Sequence, residues 1–275
     1  MLYHDQPAMR LVFTDPEVKQ TIHQHGWMLQ SLIPYDHTSI DTQQRSLSPP
    51  SWQHWLGTDQ NNHDVLANLW LGLRTSLALC GAYTVVSFCI GVSIGSLSGY
   101  FYRTLDIPIQ AFFLFWKSIP MLYILILCKT FMHIDFFALL SIMIFFGWGK
   151  FYYLARVETR KCSQSISVLQ AKTLGLSHFT ILSRYIFPEN VTTSLVYVPW
   201  HFLHGISAIT TAELLGLCHL SYPSLSKLVH QAKNYPHAYW ISVSLLITMT
   251  IVLSFIFSLA RQNTSFKHHS ISPHE

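Results

Sequence analysis

The sequence predicts an all-α protein, a polytopic membrane bundle of about five spanning helices, and three observations support this. Half of the 275 residues are hydrophobic and only 11% are charged, whereas a soluble domain usually carries about 25% charged residues. The mean hydropathy is +0.30. Five separate apolar runs follow the polar first quarter of the chain, and each approaches the roughly 20 residues that a helix needs to cross a bilayer.

The five apolar runs are the predicted spans of one transmembrane domain, residues 67–260. The first and fifth runs contain no charged residue. Lys117 and Pro120 lie within the second run, Lys150 lies near the end of the third, and Pro199 lies within the fourth. The predicted spans are residues 75–102, 107–128, 136–155, 191–212 and 241–260.

A basic loop between the third and fourth spans sets the predicted orientation. Loops rich in lysine and arginine tend to stay on the cytoplasmic side. Residues 156–190 are therefore predicted to be cytoplasmic, as is the tail 261–275, and residues 1–66 are predicted to lie outside. The basic residues of the loop are Arg156, Arg160, Lys161, Lys172 and Arg184.

The polar segment 1–66 raises a question of topology. No apolar helix or signal peptide precedes it to drive its export, because residues 1–10 lack the apolar core of such a signal. We expect that the true start lies upstream and that a first spanning helix is missing. A shortened gene product is the alternative.

Several function classes find no support in the sequence. The phosphate-binding pattern GxxxxGK[ST] is absent, so the chain is not expected to hydrolyse ATP by that route. The net charge is +4, and no basic patch with interleaved aromatics indicates nucleic-acid binding. The five cysteines show no paired spacing, which argues against a disulfide framework or a metal site. No catalytic residue, metal ligand or cofactor is predicted.

A stripe of small residues runs along the first span. Gly91, Gly95 and Gly99 follow Ser87 at intervals of four, which places them on one helix face and lets another backbone approach closely. The stripe is predicted to pack against a partner subunit or a neighbouring span. Ordinary packing within the chain is the alternative.

Polar residues and prolines in the spans are candidates for the transport pathway. Lys117 is a charge within a span, and such charges often face a cavity or a partner; snorkelling is the alternative. Pro199 could kink the fourth span for gating or merely shape the bundle. Glu213 ends that span, where it is either functional or an interfacial charge. His201 and His204 share a helix face and suit a relay or simple polar packing.

The basic loop is predicted to form a compact helical projection. The sequence predicts a helix over 163–174 with Ser163 or Ser165 as its cap, a break at Gly175, and a second short helix over 177–185 that Pro188 ends. A rigid projection of this kind suits mechanical coupling, because it passes on a partner's movement without bending.

The projection also resembles a known family. Leu169-Gln170-Ala171-Lys172-Thr173-Leu174-Gly175, followed by Arg184-Tyr185-Ile186-Phe187-Pro188, resembles the Glu-Ala-Ala loop of binding-protein-dependent ABC permeases. Ala171, Gly175 and Pro188 stand at matching positions. Leu169 and Gln170 replace the expected Glu and Ala, and Phe187 replaces a leucine. The resemblance implies that the loop grips an ATPase, without the glutamate's polar contact.

Further segments are similar to oligopeptide and dipeptide permeases of the C-type subunit. The segment Pro49-Pro50-Ser51-Trp52-Gln53-His54-Trp55-Leu56-Gly57-Thr58-Asp59, continuing to Asp64-Val65-Leu66, matches the stretch before the second span in that family, although Asn62-His63 replaces the usual Gly-Arg. Other segments resemble the oligopeptide/microcin C permease branch: Thr14-Asp15-Pro16, Gly26-Trp27, Phe146-Gly147-Trp148, Pro223-Ser224-Leu225 and Gln231-Ala232-Lys233-Asn234.

This resemblance implies a type I ABC importer permease in the bacterial inner membrane that carries peptides or peptide-like compounds. The implied partners are ATP-binding cassette subunits that hydrolyse the ATP, a second permease subunit, a periplasmic substrate-binding protein and the lipid bilayer. The segment 1–66 would then be periplasmic. Two alternatives stay open: a truncated, non-transporting remnant of such a permease, and an intramembrane enzyme built on His201 and His204.

Overall fold

A computed structural model of the protein describes residues 46–52, 54–102, 104–132, 134–217 and 225–270. The prediction of an all-α fold is confirmed. Within these ranges there is no strand, and the backbone pairing outside the helices is a single bridge between Thr58 and Asp64. The family-like segments at 14–16, 26–27 and 223–224 lie outside the described residues.

The long apolar helices follow the predicted spans. Helix α1 (Val65–Tyr100) covers the first, α4 (Phe136–Gly147) and α5 (Gly149–Cys162) cover the third, and α11 (Tyr239–Ser270) covers the fifth. The second span is a pair, α2 (Asp106–Lys117) and α3 (Met121–Phe131), bent by 67°. The described residues thus hold three helices long and apolar enough to cross a membrane, or four with the bent pair.

The chain after α5 forms the projection and then the region of the predicted fourth span. The projection contains α6 (Ile166–Thr173), α7 (His178–Ile181) and a π-helical turn at Leu182–Ile186. The predicted fourth span is divided between α8 (Phe187–Leu195) and α9 (Val198–Leu214), and these are not among the described helices that are long and apolar enough to cross a membrane. A further helix, α10 (Leu225–Asn234), precedes α11.

The break between α8 and α9 lies directly before Pro199, which was predicted either to kink the fourth span for gating or to shape the bundle. Pro199 lies in the first turn of α9, so the interruption coincides with the proline, and a role in gating stays a prediction. A first-turn proline forfeits no intrahelical hydrogen bond, since its missing N–H would be unpaired there in any case. The chain turns at residues 196–197, just before the proline.

The described residues form two compact units, one of residues 46–73 and 225–245, and one of residues 74–217 and 246–270. In the first unit the buried carboxylate of Asp59 organises the loop before α1. Its Oδ1 accepts backbone N–H bonds from Asn61 and His63, both at 2.8 Å. Its Oδ2 accepts from the Gln231 side chain at 3.1 Å. Asp64 caps α1 by accepting from the Ala67 N–H at 2.8 Å.

The departure from the family pattern at Asn62-His63 has a structural explanation. Asn62 has a φ of 59°, in the left-handed region where glycine is favoured and asparagine is one of the few tolerated alternatives. The Nδ1 atom of His63 lies 3.5 Å from the Asp59 carboxylate. The pair Asn62-His63 therefore keeps the turn and a basic group beside the aspartate.

In the second unit the glycine stripe lies against α5 of the same chain. A Cβ added at Gly91 would come within 2.5 Å of the Trp148 carbonyl oxygen, and one at Gly95 equally close to that of Tyr152. At Gly99 the distance to the Arg156 oxygen would be 2.7 Å. The absence of side chains is what lets the two backbones approach so closely.

A buried polar triangle reinforces this contact. The Asn190 amide nitrogen of α8 donates to Ser96 of α1 and to Thr159 of α5, both at 2.6 Å. Nearer the start of α1, an apolar cluster joins α1, α3, α4, α9 and α11 through Leu79, Leu125, Leu139, Ile209 and Ile256. In lipid such contacts stabilise by close packing and hydrogen bonding, because exclusion of water contributes little.

We predict that Gly95→Ala destabilises the protein by about 1–3 kcal/mol, the usual cost of overpacking. The new methyl group would meet the Tyr152 carbonyl oxygen and the Ala155 Cβ. The measurement is the thermal unfolding midpoint of the purified chain in detergent.

The matched control is Gly81→Ala on the same helix, where an added Cβ meets nothing within 4 Å. This variant should unfold at or above the midpoint of the parent chain, since alanine favours helix. Equal midpoints for the two variants would show that the glycine stripe is not a close contact.

Candidate functional site

The projection, residues 163–186, turns sharply at Gly175. This glycine has a φ of +73°, which disfavours every residue with a side chain. The Leu176 N–H donates to the Ala171 carbonyl at 3.2 Å and the Gly175 N–H to that of Lys172 at 3.1 Å. These two bonds close the end of α6 as a Schellman motif. Ser177 then caps α7 by accepting from the Thr180 N–H.

The helix limits in the projection differ from the prediction at two points. The first helix begins at Ile166 with Ser165, one of the two predicted caps, as its N-cap residue. It does not begin at residue 163, because α5 runs on to Cys162 and Ser163 bonds back to the Thr159 carbonyl. The prediction that Pro188 ends the second helix is wrong, since Pro188 lies in the first turn of α8. The π-helical turn before it widens the helix, which accommodates a residue that cannot donate to the preceding turn.

Tyr100, the last residue of α1, holds the projection to the membrane helices. Its hydroxyl is hydrogen bonded to Nδ1 of His178 at 2.8 Å. The Lys172 ammonium group lies 5.4 Å from the centre of its ring. Below the ring, an apolar cluster made of Val168, Ala171, Ile181 and Ile186 is buried. Both helical segments of the projection are thereby attached to α1.

Several apolar side chains of the projection are exposed. Leu169, at the position of the family's glutamate, is 50% exposed, and Phe179 is 80% exposed. Gln170 is also exposed, whereas Ala171 is buried in the cluster against Tyr100. Of the residues predicted for coupling, Leu169 and Gln170 thus face outward, while Ala171 and Gly175 determine the shape.

A buried ion pair connects the base of the projection to the bent helix pair. The Asp106 carboxylate at the start of α2 accepts from Arg156 at 2.5 and 2.8 Å, and also from Arg160 and Ser98. Arg156 bonds Gln110 as well. Arg156 was predicted to lie in the loop, but it is a buried residue of α5. A bidentate arginine–carboxylate pair of this kind is geometrically specific.

A cavity of about 600 Å³ lies beside the break in the bent pair. Lys117 lines it, as predicted for a pathway residue, together with Lys150, His201 and His204. Pro199 and Glu213 are not among the lining residues: Pro199 is buried, and Glu213 lies in the last turn of α9. The remaining wall is largely aromatic and includes Tyr83, Phe113, Trp116, Trp148, Tyr153 and Tyr197.

The two histidines predicted to share a helix face have different surroundings. His201 is buried, stacks on Tyr83 with ring centres 4.4 Å apart, and lies 3.1 Å from the Gly147 carbonyl through Nε2. His204 is exposed. No group of three or more metal-binding side chains occurs in the part of the chain that the structure describes.

Comparison with known proteins decides the family. The family model described as "Binding-protein-dependent transport system inner membrane component" matches residues 91–265, which include α5, the projection and all residues named for the cavity except Tyr83. The chain belongs to this family. It is therefore a membrane component of a transport system, in agreement with the resemblance found at the projection.

Individual relatives of this permease chain span most of its length. The inner membrane ABC transporter permease protein YejE of Escherichia coli is 33% identical over 90% of this chain and 74% of the relative. The peptidoglycan transport system permease protein YejE of Agrobacterium fabrum is 29% identical over 87% and 70%. The oligopeptide transport system permease protein OppC of Lactococcus lactis is 26% identical over 81% and 78%.

The fold of the permease chain matches a solved transporter. An inward-facing structure of the MetNI methionine ABC transporter has a chain that aligns with a TM-score of 0.56 at 15% identity, covering 70% of this chain and 94% of that one. At this identity the match concerns the fold, and it confirms the predicted type of helix bundle.

Two connections of the permease chain were not predicted from its sequence: Tyr100 to His178 and Asp106 to Arg156. The first joins residues 78 positions apart. For the second, Arg156 and Arg160 stand four apart and so share a helix face, which could have suggested one common acidic partner. The spacing does not say which of the 13 acidic residues supplies it.

We predict that Asp106→Asn destabilises the permease chain by about 3–5 kcal/mol, the usual cost of leaving a buried charge without its partner. Both arginines would lose the carboxylate. The readout is the thermal unfolding midpoint in detergent.

Asp135→Asn serves as the control for this substitution. Asp135 is exposed and caps α4 by accepting from the Ala138 N–H at 2.9 Å, a task that asparagine performs about equally well. A midpoint that falls equally in both variants would contradict a structural role for the ion pair.

Proposed function

We propose that this chain is the membrane-spanning subunit of an ATP-driven importer, and that a separate ATPase moves it through the projection 163–186. The observation that carries the proposal is the construction of the projection. It is closed at Gly175 by two backbone bonds and attached to Tyr100 by a hydrogen bond, a cation–π contact and a buried cluster. An element with these attachments moves as one piece.

A mechanical route leads from the projection to the cavity. The projection continues from α5, whose Arg156 and Arg160 hold Asp106 at the start of α2. Helix α2 ends at Lys117, which lines the cavity. A displacement of α5 by the ATPase would therefore shift α2 and reshape the cavity, as alternation between two conformations requires.

The proposed assembly follows from the family and the charge distribution. The projection faces the cytoplasm with its ATP-binding cassette subunits, and the tail 261–275 lies on the same side. The segment 1–66 lies in the periplasm, where a substrate-binding protein delivers cargo. A second permease subunit completes the pathway between residues 67–260 of the two chains. Membership of a family of binding-protein-dependent inner membrane components supports dependence on a binding protein and an inner-membrane location.

Peptides or peptide-like compounds are the proposed cargo. Two of the relatives carry names that refer to transport of peptidoglycan and of oligopeptides. Both kinds of compound contain amide-linked amino acids. A cavity walled by aromatic side chains with a few cationic groups suits such amphipathic molecules.

The docking contact with the ATPase is proposed to be apolar. Leu169 stands where the resemblance leads us to expect a glutamate, and Ile166, Leu174 and Phe179 of the same projection are each at least 75% exposed. Exposed apolar side chains of this size often mark protein contacts. We therefore expect an apolar groove on the ATPase. It should lie at the position where the ATPases of related transporters contact the glutamate.

Gly175→Val should uncouple transport from ATP hydrolysis while leaving membrane insertion intact. A φ of +73° is unfavourable for most residues with a side chain, and a β-branched residue there costs about 1–3 kcal/mol in strain. The turn would open and the outer face would move. The assay is ATP-dependent uptake into vesicles that contain the chain with its copurified partner subunits.

The matched control is Gly175→Asn, because asparagine tolerates the left-handed conformation and an added Cβ at this site meets nothing within 4 Å. This variant should retain uptake. Normal uptake by the valine variant would refute the coupling role of the turn.

Phe179→Ser should weaken binding of the ATPase by about 1–2 kcal/mol, on the order of tenfold in Kd. Phe179 is 80% exposed, so its removal leaves the fold intact. Titration of the copurified ATPase onto the chain in nanodiscs measures the effect.

Gln164→Ser, an exposed polar position of the same projection, is the control and should bind like the parent chain. If both variants bind the ATPase with the affinity of the parent chain, the proposal of an apolar docking face is contradicted.

A further inference from the structure

The cavity of the second unit combines cationic groups with an absence of acids. Lys117 and Lys150 both line it, and no aspartate or glutamate is among its lining residues. Neither lysine is ion paired within the described residues. Charges within apolar helical segments are costly and usually serve a pathway or a partner. Two ammonium groups without a carboxylate partner at one cavity favour the binding of an anion.

A helix end adds to the positive potential. Helix α3 begins at Met121 after Pro120, and both residues line the cavity. Pro120 makes no side-chain cap bond to the first N–H groups of α3. The N-terminal end of a helix carries partial positive charge and free donors, which favours anions. Broken helices in other membrane transporters present such ends to anionic cargo groups.

His201 supplies a different kind of group to the same cavity. Because the Gly147 carbonyl can only accept, Nε2 of His201 carries the proton of that 3.1 Å hydrogen bond. In the neutral ring Nδ1 is then an acceptor. It is buried, has no partner in the described part of the chain, and belongs to a side chain that is 3% exposed. A ligand that fits should bring an N–H donor.

We propose that this cavity binds the C-terminal end of a peptide cargo, with Lys117 and Lys150 donating to the carboxylate and His201 Nδ1 accepting the adjacent peptide N–H. This inference rests on the proposed function and specifies what the site recognises. At the C-terminal end of a peptide, the carboxylate carbon and the last peptide nitrogen are two bonds apart. The carboxylate matches the two lysines, and the N–H matches Nδ1 of His201. The aromatic wall receives the terminal side chain. A phospholipid phosphate would satisfy the lysines but offers no adjacent N–H.

The cavity size suits this ligand. Its volume of about 600 Å³ lies within the range of about 300–1,000 Å³ that is common for small-molecule sites. The aromatic side chains offer stacking surface that does not depend on one particular residue. The site would therefore select for a free carboxylate and a bulky apolar terminal residue, and tolerate variation further along the peptide.

The test measures equilibrium binding of the radiolabelled tripeptide alanyl-alanyl-phenylalanine. The sample is the full chain with its copurified partner subunits in nanodiscs of phosphatidylcholine. The C-terminal amide of the same tripeptide should bind about tenfold more weakly, the scale of losing hydrogen bonds to a charged group. Methylation of the last peptide nitrogen should also weaken binding, since it removes the donor for His201.

Variants of the lysines identify the site. Lys117→Gln and Lys150→Gln should each weaken binding of the acid and leave binding of the amide nearly unchanged. Lys129→Gln is the control, because Lys129 lies on α3 and does not line the cavity. It should bind both peptides like the parent chain.

Equal affinities for the acid and the amide would overturn the proposal, as would lysine variants that weaken both peptides equally. If phosphatidylglycerol in the nanodisc displaces the peptide and amidation has no effect, the cavity binds lipid phosphate instead. Stimulated ATP hydrolysis is recorded on the same sample. A complex that hydrolyses ATP but binds without regard to the carboxylate refutes only this inference, whereas a chain that recruits no ATPase refutes the proposed function.

Discussion

The close contact between α1 and α5 is the constraint on which the second unit depends. Gly91, Gly95 and Gly99 leave no side chain between the two backbones, so carbonyl oxygens of α5 lie where a Cβ would otherwise stand. Apolar surfaces gain little from meeting each other in lipid, so helices there associate through close packing and hydrogen bonds. The glycines provide the close packing, and the Asn190 bonds to Ser96 and Thr159 provide the hydrogen bonding.

This contact places the charged and aromatic groups that matter for coupling. With α5 held against α1, the arginines of α5 reach Asp106, and the last residue of α1, Tyr100, reaches the projection. Helix α5 is therefore attached to α1, α2 and α8 at once. In the proposed function, a force on the projection would reach these helices through the hydrogen bonds and the ion pair that join them.

The departures from the family pattern fall into two groups with different consequences. At Asn62-His63 the replacement preserves what the turn needs, a tolerated left-handed residue followed by a base near Asp59. At Leu169 the replacement changes the chemistry of an exposed position. Two other members of the same motif are kept: Ala171, which is buried, and Gly175, which forms the turn. The turn at Gly175 thus forms in this chain, while an exposed leucine stands where the resemblance leads us to expect a glutamate.

The sequence by itself determined the class of protein, the approximate spans and the position of the projection. These depend on local properties: apolar runs of sufficient length, a cluster of basic residues, and a glycine between two short helices. The same locality explains its errors. Pro188 and Pro199 signal a helix limit, but only the structure shows that each begins a helix, and that a π-helical turn precedes the first.

Only the tertiary structure decided which surfaces meet. The spacing of Gly91, Gly95 and Gly99 defined a helix face, but α5 as its partner is set by packing between segments far apart in the chain. The same holds for Arg156 with Asp106 and for Lys117 with Lys150 at one cavity. Periodicity reports which way a side chain points from its own helix axis. It carries no information about the neighbour, because that depends on how all the helices fill space together.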